Sequence, residues 1–573
     1  MKRFVFSLAW AFALVLASSS LARATVVEHT FNVEDVSIQR LCRSQVITAV
    51  NGTLPGPTIN AREGDAVIVH VFNKSPYNLT LHWHGVIQFL TPWSDGPEFV
   101  TQCPIPSGGS YTYKFNLTGQ EGTLWWHAHS SFLRATVYGA LFIRPRLGHS
   151  YPFPKVYQEI PVLLGEWWNA NVVEVEHNAT ESQLPPIESD AYTINGLPSD
   201  LYNCSQDGTY QVKVKQGKTY MLRIINAALN AQHFFKIANH TFTVVAVDAL
   251  YTKPYKTDVV VLAPGQTVDV LITTNRPVGS YYMVFKPYQS APRVALNGNL
   301  TRGVITYEGA TSAAKPIMPD LPDQTDTPTA HKFYTNITGL AGGPHWVPVP
   351  RHVDEHMFIT FGLSFTTCNN FSGGCTDGQR PLSANMNNES FVLPRGRGAS
   401  MLEAFYFNNV SHVYSRDFPN QPPVVFDYTR PTITRDTSFA FQMAPKSTKV
   451  KVLKFNSTVE IVLQNTNIIA AENHPMHIHG YNFHVLAQGF GNYNATRDEP
   501  KFNLVNPQIR NTIAVPVGGW AVVRFQANNP GVWLVHCHLE THLPWGLAMA
   551  FEVENGPTLS LSVPPPPSNL PKC

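Results

Sequence analysis

The chain has 573 residues, too many for one hydrophobic core, and its length predicts three or four domains. Charged residues make up only 14% of the sequence and the formal net charge is +2, so neither a nucleic-acid-binding surface nor a polybasic membrane contact is indicated. The 45 prolines and 37 glycines, with 22 Tyr and 33 Phe, favour many short strands joined by turns.

The first 24 residues have the pattern of a secretory signal. A basic start precedes an apolar centre, and the small residues Ala22 and Ala24 flank Arg23 at the expected cleavage site. The alternative, a membrane anchor, is disfavoured because the apolar run is short, and no other stretch of the sequence could span a bilayer. We therefore predict that residues 1–24 are removed and that the mature protein is soluble and secreted.

Sequons and cysteines agree with an extracellular location. Fourteen N-x-[ST] sequons predict N-glycans, with some sites buried and unused. They are at Asn51, Asn73, Asn78, Asn116, Asn178, Asn203, Asn239, Asn299, Asn336, Asn370, Asn388, Asn409, Asn456 and Asn494. An oxidising compartment favours pairing six of the seven cysteines, and Cys537, between two histidines, is the expected free thiol.

Segments of alternating apolar residues predict strands, for example at 65–73, 209–217, 267–275 and 457–465, and no long helical period is present. Three segments share a pattern of a strand ending in asparagine, an extended segment and a Gly-rich turn; they are VIVHVFN, YMLRIIN and VEIVLQN. This repeat predicts an all-β chain of β-sandwich domains. We place them at 25–150, 151–320 and 401–573, with the proline-rich stretch 321–400 as a surface connection.

Ten of the 22 histidines lie in four tight clusters. These are His82 and His84; His127 and His129; His474, His477 and His479; and His536, His538 and His542. Residues i and i+2 of a strand project from one face, so each H-x-H pair directs two imidazoles to one point. Four such pairs supply eight imidazoles. Because two pairs lie in the first domain and two in the last, we predict a multinuclear metal site between those domains.

The same spacing predicts a second site around Cys537. Its side chain must point away from the side chains of His536 and His538, where His474 and His542 can join it. Two histidines and a cysteine are the ligands of a blue-copper electron-transfer centre. A structural zinc site is disfavoured because such sites close with four ligands. A redox-silent copper store stays open as an alternative, although it would not need two sites on one strand.

At these clusters the sequence resembles the multicopper oxidases, and most closely the plant laccases, over essentially the whole mature chain. The resemblance implies three cupredoxin domains and four copper ions. It assigns His474, Cys537 and His542 to type 1 copper, and His82 and His477 to type 2. It assigns the type 3 pair to His129, His479 and His536 on one ion, and His84, His127 and His538 on the other.

The resemblance implies a secreted laccase. Its reaction would be the one-electron oxidation of phenols at type 1 copper, coupled to reduction of O₂ to water at the trinuclear cluster. Proton transfer to oxygen requires nearby acidic groups. Asp95 and Glu540 match acidic positions of the family. The alternatives are a turn residue before Gly96 for Asp95, and an exposed loop charge for Glu540.

The resemblance also pairs Cys42 with Cys204, Cys103 with Cys573 and Cys368 with Cys375; sequence alone allows fifteen pairings. It implies a glycosylated monomer of the apoplast or cell wall, acting on monolignols or related phenylpropanoids in lignin polymerisation or turnover. Flavonoid-type phenols are equally compatible.

At the substrate pocket, Asn230 occupies the position where fungal laccases have an acidic residue beside the phenol. Glu472 is therefore a candidate to assist deprotonation of the phenol. The alternative for Glu472 is a surface loop charge.

Leu547 occupies the axial position of type 1 copper, where ascorbate oxidase has methionine, and this disfavours that enzyme. A ferroxidase needs an acidic iron site that we do not identify. A non-catalytic copper-binding wall glycoprotein is the alternative from another class, and the intact ligand set argues against it.

Overall fold

The computed structural model describes residues 25–182, 184–202, 208–290, 297–311, 315–367, 381–429, 443–469 and 472–573. Among the described residues β-strands are the main regular structure and the helices are few and short, which confirms the predicted all-β class. Strand Ala66–Asn73 shows why: Val67, Val69 and Val71 are fully buried, while the residues between them are partly or fully exposed.

The first part of the chain forms two four-stranded sheets that pack on a common core. One has the strand order β2-β1-β4-β6 and the other β3-β8-β7-β5. The strands are β1 (Val26–Arg40), β2 (Arg43–Val50), β3 (Ile59–Arg62), β4 (Ala66–Asn73), β5 (Leu81–His84), β6 (Ser110–Asn116), β7 (Gly122–Ala128) and β8 (Tyr138–Arg144).

The middle part forms a six-stranded sheet, β10-β9-β12-β17-β14-β15, packed on a five-stranded sheet, β11-β19-β18-β13-β16. The strands are β9 (Gln158–Trp167), β10 (Ala191–Ile194), β11 (Gln211–Val214), β12 (Thr219–Asn226), β13 (Gln232–Ile237), β14 (Phe242–Val247), β15 (Leu250–Thr257), β16 (Val260–Leu262), β17 (Thr267–Thr273), β18 (Ser280–Tyr288) and β19 (Thr301–Tyr307).

The last part again pairs a six-stranded sheet, β21-β20-β25-β30-β27-β28, with a five-stranded one, β24-β32-β31-β26-β29, beside the small pair β22-β23. The strands are β20 (Glu355–Phe365), β21 (Leu382–Met386), β22 (Ser390–Phe391), β23 (Lys446–Ser447), β24 (Val450–Leu453), β25 (Ser457–Asn465), β26 (His474–Ile478), β27 (Phe483–Phe490), β28 (Ile509–Arg510), β29 (Thr512–Val515), β30 (Gly519–Ala527), β31 (Gly531–Cys537) and β32 (Ala548–Val553).

The helices are short and connect strands. They are α1 (Val172–Ser182), α2 (Thr327–Asn336), α3 (Met401–Tyr406), α4 (Ala495–Asp498) and α5 (His542–Trp545), with 3₁₀ turns at Pro92–Ser94, Ser131–Ala135, Val410–His412, Glu499–Lys501 and Leu559–Leu561.

The stretch 321–400 differs from the surface connection that we predicted. It contains α2, and its strands β20 and β21 belong to the six-stranded sheet of the last part, with β20 running parallel to β25. Met357, Ile359 and Phe361 of β20 are buried in that core. The prolines on either side of β20 led us to predict a connection, although the sequence of β20 itself is strongly apolar.

The three repeated asparagines have the same role in each part of the chain. Asn73, Asn226 and Asn465 end β4, β12 and β25, and all three are fully buried. Each side-chain amide donates to two backbone carbonyls of neighbouring segments. A buried amide that joins two loops to a strand end explains why the pattern recurs with the fold.

A disulfide joins Cys103 to Cys573, the last residue, and so ties the C-terminal tail to the first part of the chain. Cys42 is also disulfide-bonded. Its expected partner Cys204 and the expected pair Cys368–Cys375 lie outside the described residues, as do the predicted signal 1–24 and the sequons at Asn203 and Asn370.

Candidate metal centres

Eight histidines from the first and last parts of the chain meet at one buried point. Each is at most 7% exposed; they are His82, His84, His127, His129, His477, His479, His536 and His538. Strand pairing brings them together: β5 and β7 place His82 opposite His127, and β26 and β31 place His477 opposite His536. Several of their ring nitrogens lie within 4.8 Å of one another, as in the group His129, His479 and His536.

Hydrogen bonds at the outer edge of this cluster fix the ring tautomers. In five of the rings Nδ1 lies 2.7–3.0 Å from a protein oxygen: His82 from the carbonyl of Asp95, His127 from that of Ala128, His477 from that of Asn511, His479 from Oδ2 of Asp95, and His536 from the carbonyl of Cys537. Because these oxygens can only accept a hydrogen bond, Nδ1 carries the proton. Nε2 is then unprotonated, and its lone pair is free to bind a metal.

The bare nitrogens face one another without protein partners. Nε2 of His82, His127 and His477 is buried and makes no hydrogen bond, and Nε2 of His479 lies 3.1 Å from Nε2 of His536. Unpaired lone pairs so close together repel one another unless a cation lies among them. The donor set therefore fits several metal ions that prefer imidazole.

Burial also keeps seven of these imidazoles neutral. It lowers the pKa of His536 to about 3 and brings that of six others well below the usual range, helped by neighbouring rings or Arg134; these six are His84, His127, His129, His477, His479 and His538. A neutral imidazole has the lone pair that a metal requires.

A second site lies on the other face of β31. Sγ of Cys537 is 3.5 Å from Nδ1 of His474 and 3.4 Å from Nδ1 of His542, and all three side chains are buried. Cys537 is the free cysteine among the described residues. Burial raises the pKa of its thiol well above the ordinary value, so a bound cation is needed to hold the thiolate. His536 and His538 point into the eight-histidine cluster, so one strand carries both sites.

Leu547 is fully buried in the same core as Cys537, and its carbonyl accepts a hydrogen bond from the Cys537 N–H at 3.1 Å. The side chain of leucine has no atom that could bind a metal.

Asp95 lies at the outer edge of the cluster. The residue is fully buried; Oδ2 is 3.0 Å from Nδ1 of His479, and Oδ1 is 3.4 Å from Nδ1 of His82. It therefore contacts two cluster histidines through their outer nitrogens, and it is more than a turn residue before Gly96.

Glu540 forms a buried ion pair with Arg134, at 2.8 Å from Nη1, and is not an exposed loop charge. Burial raises the pKa of Glu540 to about 7 against the opposing effect of Arg134. The same Nη1 is 3.0 Å from Nδ1 of His538, so Arg134 connects Glu540 to the cluster. Sequence reasoning missed Arg134, since nothing in its neighbourhood marks a buried arginine.

Glu472 and Asn230 both lie beside His542. Oε1 of Glu472 is 3.2 Å from Nε2 of His542, and this side chain is only 15% exposed, which excludes a surface loop charge. Oδ1 of Asn230 accepts hydrogen bonds from the N–H and hydroxyl of Thr541, at 3.3 and 3.2 Å. The carboxylate is thus next to the ring edge, while the amide holds the backbone that precedes His542.

Comparisons with known proteins agree with this arrangement. Multicopper oxidase family models match residues 32–148, 158–310 and 417–557. Laccase-7 of Arabidopsis thaliana is 59% identical over 564 residues, covering 98% of each chain. Laccase-24 of Oryza sativa subsp. japonica is 55% identical over 577 residues, again covering 98% of each chain.

Solved structures of multicopper oxidases have a similar fold over nearly the whole chain. The laccase from Botrytis aclada is 26% identical with a TM-score of 0.70, covering 94% of this chain and 89% of that one. Fet3p, a multicopper oxidase that functions in iron import, has a TM-score of 0.72 over 92% of this chain and 90% of its own, but at 21% identity it shows the fold alone.

The fold and the two ligand sets define a multicopper oxidase, and the chain belongs to that family. Its similarity to plant laccases extends over nearly the whole chain, and the enzyme is a laccase with phenols and O₂ as substrates. Its cofactor is copper, as four ions in type 1, type 2 and type 3 centres. These findings leave the ascorbate oxidase, ferroxidase and non-catalytic alternatives unsupported.

Proposed function

We propose that the two sites hold the four copper ions in the following way. Type 1 copper takes His474, Cys537 and His542, and type 2 copper takes His82 and His477. The type 3 ions take His129, His479 and His536, and His84, His127 and His538. The unprotonated, inward-facing nitrogens support the cluster assignment, and the approach of two imidazole nitrogens to Sγ of Cys537 supports the type 1 site.

The single observation that carries the mechanism is that β31 supplies both sites. When bound, copper supplies one-electron oxidation at type 1 and reduction of O₂ at the cluster. The thiol of Cys537 and the rings of His536 and His538 are separated by a few covalent bonds of one backbone. The burial of all the ligands excludes water from both sites. Asp95 and Glu540 are the groups that transfer protons during O₂ reduction.

Glu472 accepts the proton of the phenol at Oε1. This oxygen is next to Nε2 of His542, the ring nitrogen that faces away from Sγ of Cys537, while Nδ1 of the same ring faces the sulfur. A phenol hydroxyl placed between Oε1 of Glu472 and Nε2 of His542 would contact both the carboxylate and the proposed copper ligand. Asn230 orients the substrate side of this pocket through Thr541.

The test of this role compares two electron donors. Glu472→Gln keeps the size of the side chain and removes the base, so kcat for phenols falls by about 10²-fold. Oxidation of ferrocyanide, which has no proton to lose, stays near the wild-type rate. If both donors slow equally, Glu472 acts on the type 1 site itself and the proposed role is wrong.

The physiological substrates are monolignols or related phenylpropanoids, and the enzyme acts in lignin polymerisation or turnover. Sequence similarity to plant laccases supports this class. Comparison of kcat/KM for coniferyl alcohol, a flavonol, ascorbate and Fe(II) tests it. If kcat/KM for the flavonol is tenfold higher or more, flavonoid-type phenols are the substrates instead of phenylpropanoids. If kcat/KM is highest for ascorbate or Fe(II), the proposal of a phenol-binding pocket is wrong.

The protein is a secreted glycoprotein of the apoplast, cleaved after Ala24. None of the helices among the described residues is long and apolar enough to cross a membrane. Asn73 is excluded from glycosylation, since its buried amide donates to the carbonyls of Tyr77 and Ile105. Exposed sequons are the expected sites: Asn51, Asn78, Asn116, Asn178, Asn239, Asn299, Asn336, Asn409, Asn456 and Asn494. Glycopeptide mass spectrometry of the purified protein tests this set.

The enzyme is a monomer of three cupredoxin domains. The first two cover 25–150 and 151–320, and the third starts with β20 rather than at residue 401 and includes the C-terminal tail. The disulfides Cys42–Cys204 and Cys368–Cys375 complete the set, and peptide mapping under non-reducing conditions tests them.

A further inference from the structure

His84 differs from the other cluster histidines in the direction of its ring. Nε2 of His84 contacts the protein, at 3.0 Å from Oγ1 of Thr512, while Nδ1 faces Nε2 of His538 at 3.1 Å. In the five rings with fixed tautomers described above, Nδ1 makes the protein contact instead. The proton of His84 must therefore be on the opposite nitrogen if its free lone pair is to face the cluster.

Thr512 has the hydrogen-bonding capacity to place that proton. A hydroxyl has one hydrogen and two lone pairs. Oγ1 of Thr512 lies 2.8 Å from Oδ1 of Asn511, an acceptor that takes the hydroxyl hydrogen. The lone pairs are then left for imidazole N–H groups, namely Nε2–H of His84 and, at 3.1 Å, Nδ1–H of His477. His477 has a second acceptor in the carbonyl of Asn511, but none of the described hydrogen bonds gives Nε2 of His84 an alternative.

Thr512 is itself held by the middle domain, which contributes no cluster histidine. Its carbonyl accepts from Nε2 of Gln266 at 3.0 Å, and its N–H faces Oδ2 of Asp248 at 3.4 Å. Asp248 also faces Nη1 of Arg510 at 3.4 Å, and all of these residues are buried. The hydroxyl is consequently fixed in position relative to His84, which lies 428 residues earlier in the chain.

We propose that Thr512 is a positioning residue that keeps the proton of His84 on Nε2, so that Nδ1 is the copper donor. This inference rests on the proposed assignment of His84 to the cluster. It gives the middle domain a role in the metal site, since Gln266 and Asp248 hold the backbone of the residue that sets the tautomer. A valine at 512 has nearly the same shape but leaves Nε2–H of His84 buried without an acceptor, which favours the wrong tautomer.

The test uses copper-loaded protein and measures retention of cluster copper. Thr512→Val should release cluster copper to a chelator about 10-fold faster or more than wild type, while the blue type 1 band stays. Thr512→Ser, which restores the hydroxyl, should return release to within about twofold of wild type. Thr466→Val is the matched control, because this buried threonine donates to the carbonyl of Phe361, away from the histidines.

Crystal structures of the loaded variants supply the second readout, namely which nitrogen of His84 faces the metal. The proposal is wrong if Thr512→Val releases cluster copper at the wild-type rate. It is also wrong if Thr512→Ser releases copper as fast as Thr512→Val, since a change in packing would then be responsible. If Thr512→Val does not fold, Thr512→Ala is judged by the same two readouts. Wild-type protein that never holds cluster copper would instead overturn the proposed function.

Discussion

Single residues outside the H-x-H pairs contact the histidines of the two sites or lie in the same core. Asp95 contacts two rings of the cluster, Glu472 faces the outer edge of His542, and Leu547 is buried in the same core as Cys537. None of these side chains is the direct donor of a copper ion in the proposed assignment. In that assignment we expect them to influence proton positions and the ease of reduction of the copper ions.

Leu547→Met tests the axial position. A thioether can donate to copper and stabilises Cu(II), so the type 1 potential should fall by an amount on the order of 59 mV, or tenfold in the one-electron equilibrium. Oxidation of high-potential phenols should slow accordingly. The two side chains have similar volumes, so the melting temperature should change little. Redox titration of the blue band decides the matter: an unchanged or raised potential would mean that Leu547 only packs the core.

Asp95→Asn separates the proton role from the orienting role. The amide oxygen can still accept from Nδ1 of His479, so ring orientation is preserved while the proton-transfer group is lost. O₂ reduction should slow by about 10²-fold, and anaerobic reduction of type 1 copper by phenol should not. Stopped-flow reduction compared with steady turnover measures both steps. Equal slowing of the two would make Asp95 a structural residue.

At the scale of elements, strand β31 carries side chains of both sites. Its alternation directs the side chain of His536 to one face and that of Cys537 to the other, His538 follows directly after its last residue, and pairing with β26 brings in His477 beside His536. Helix α5 begins directly at His542, so a turn after the strand brings the imidazole of His542 back to Sγ of Cys537.

Cys537→Ser should therefore remove one site and leave the other. The blue band and phenol oxidation should be lost, because a hydroxyl does not replace the thiolate. Copper bound by the eight histidines should remain, since their contacts are on the opposite face of the strand. Metal analysis with the visible spectrum measures both, and mapping of the disulfides controls for misfolding. A blue and active serine variant would remove Cys537 from the type 1 site.

At the scale of the whole molecule, the tail is held by the disulfide between Cys103 and Cys573, which closes a loop of 470 residues. Replacing both cysteines by alanine should destabilise the fold by about 2–5 kcal/mol, chiefly by freeing the unfolded chain. Thermal unfolding monitors this loss, and copper content should be unchanged because neither cysteine is among the proposed copper ligands. An unaltered melting temperature would mean that Leu570, packed in the core, holds the tail without the bond.

The sequence predicts local features of this molecule better than long-range ones. Period-two alternation is sufficient to predict β4 and to place Cys537 opposite its neighbouring histidines, because both follow from strand geometry. The prediction failed for β20, where flanking prolines outweighed an apolar strand. The sequence did not predict the contact of Arg134 with His538 or that of Thr512 with His84 either, since each joins residues more than 400 positions apart and depends on how the domains pack.

The electron balance of turnover tests the central claim most directly. A type 1 site that passes single electrons to a cluster reducing O₂ to water requires four phenols oxidised, each by one electron, for every O₂ consumed. We therefore predict a ratio of four in simultaneous measurements of O₂ uptake and phenoxyl formation, with no hydrogen peroxide released. A ratio of two, with peroxide as the product, would show that the eight histidines do not form a working oxygen-reducing cluster.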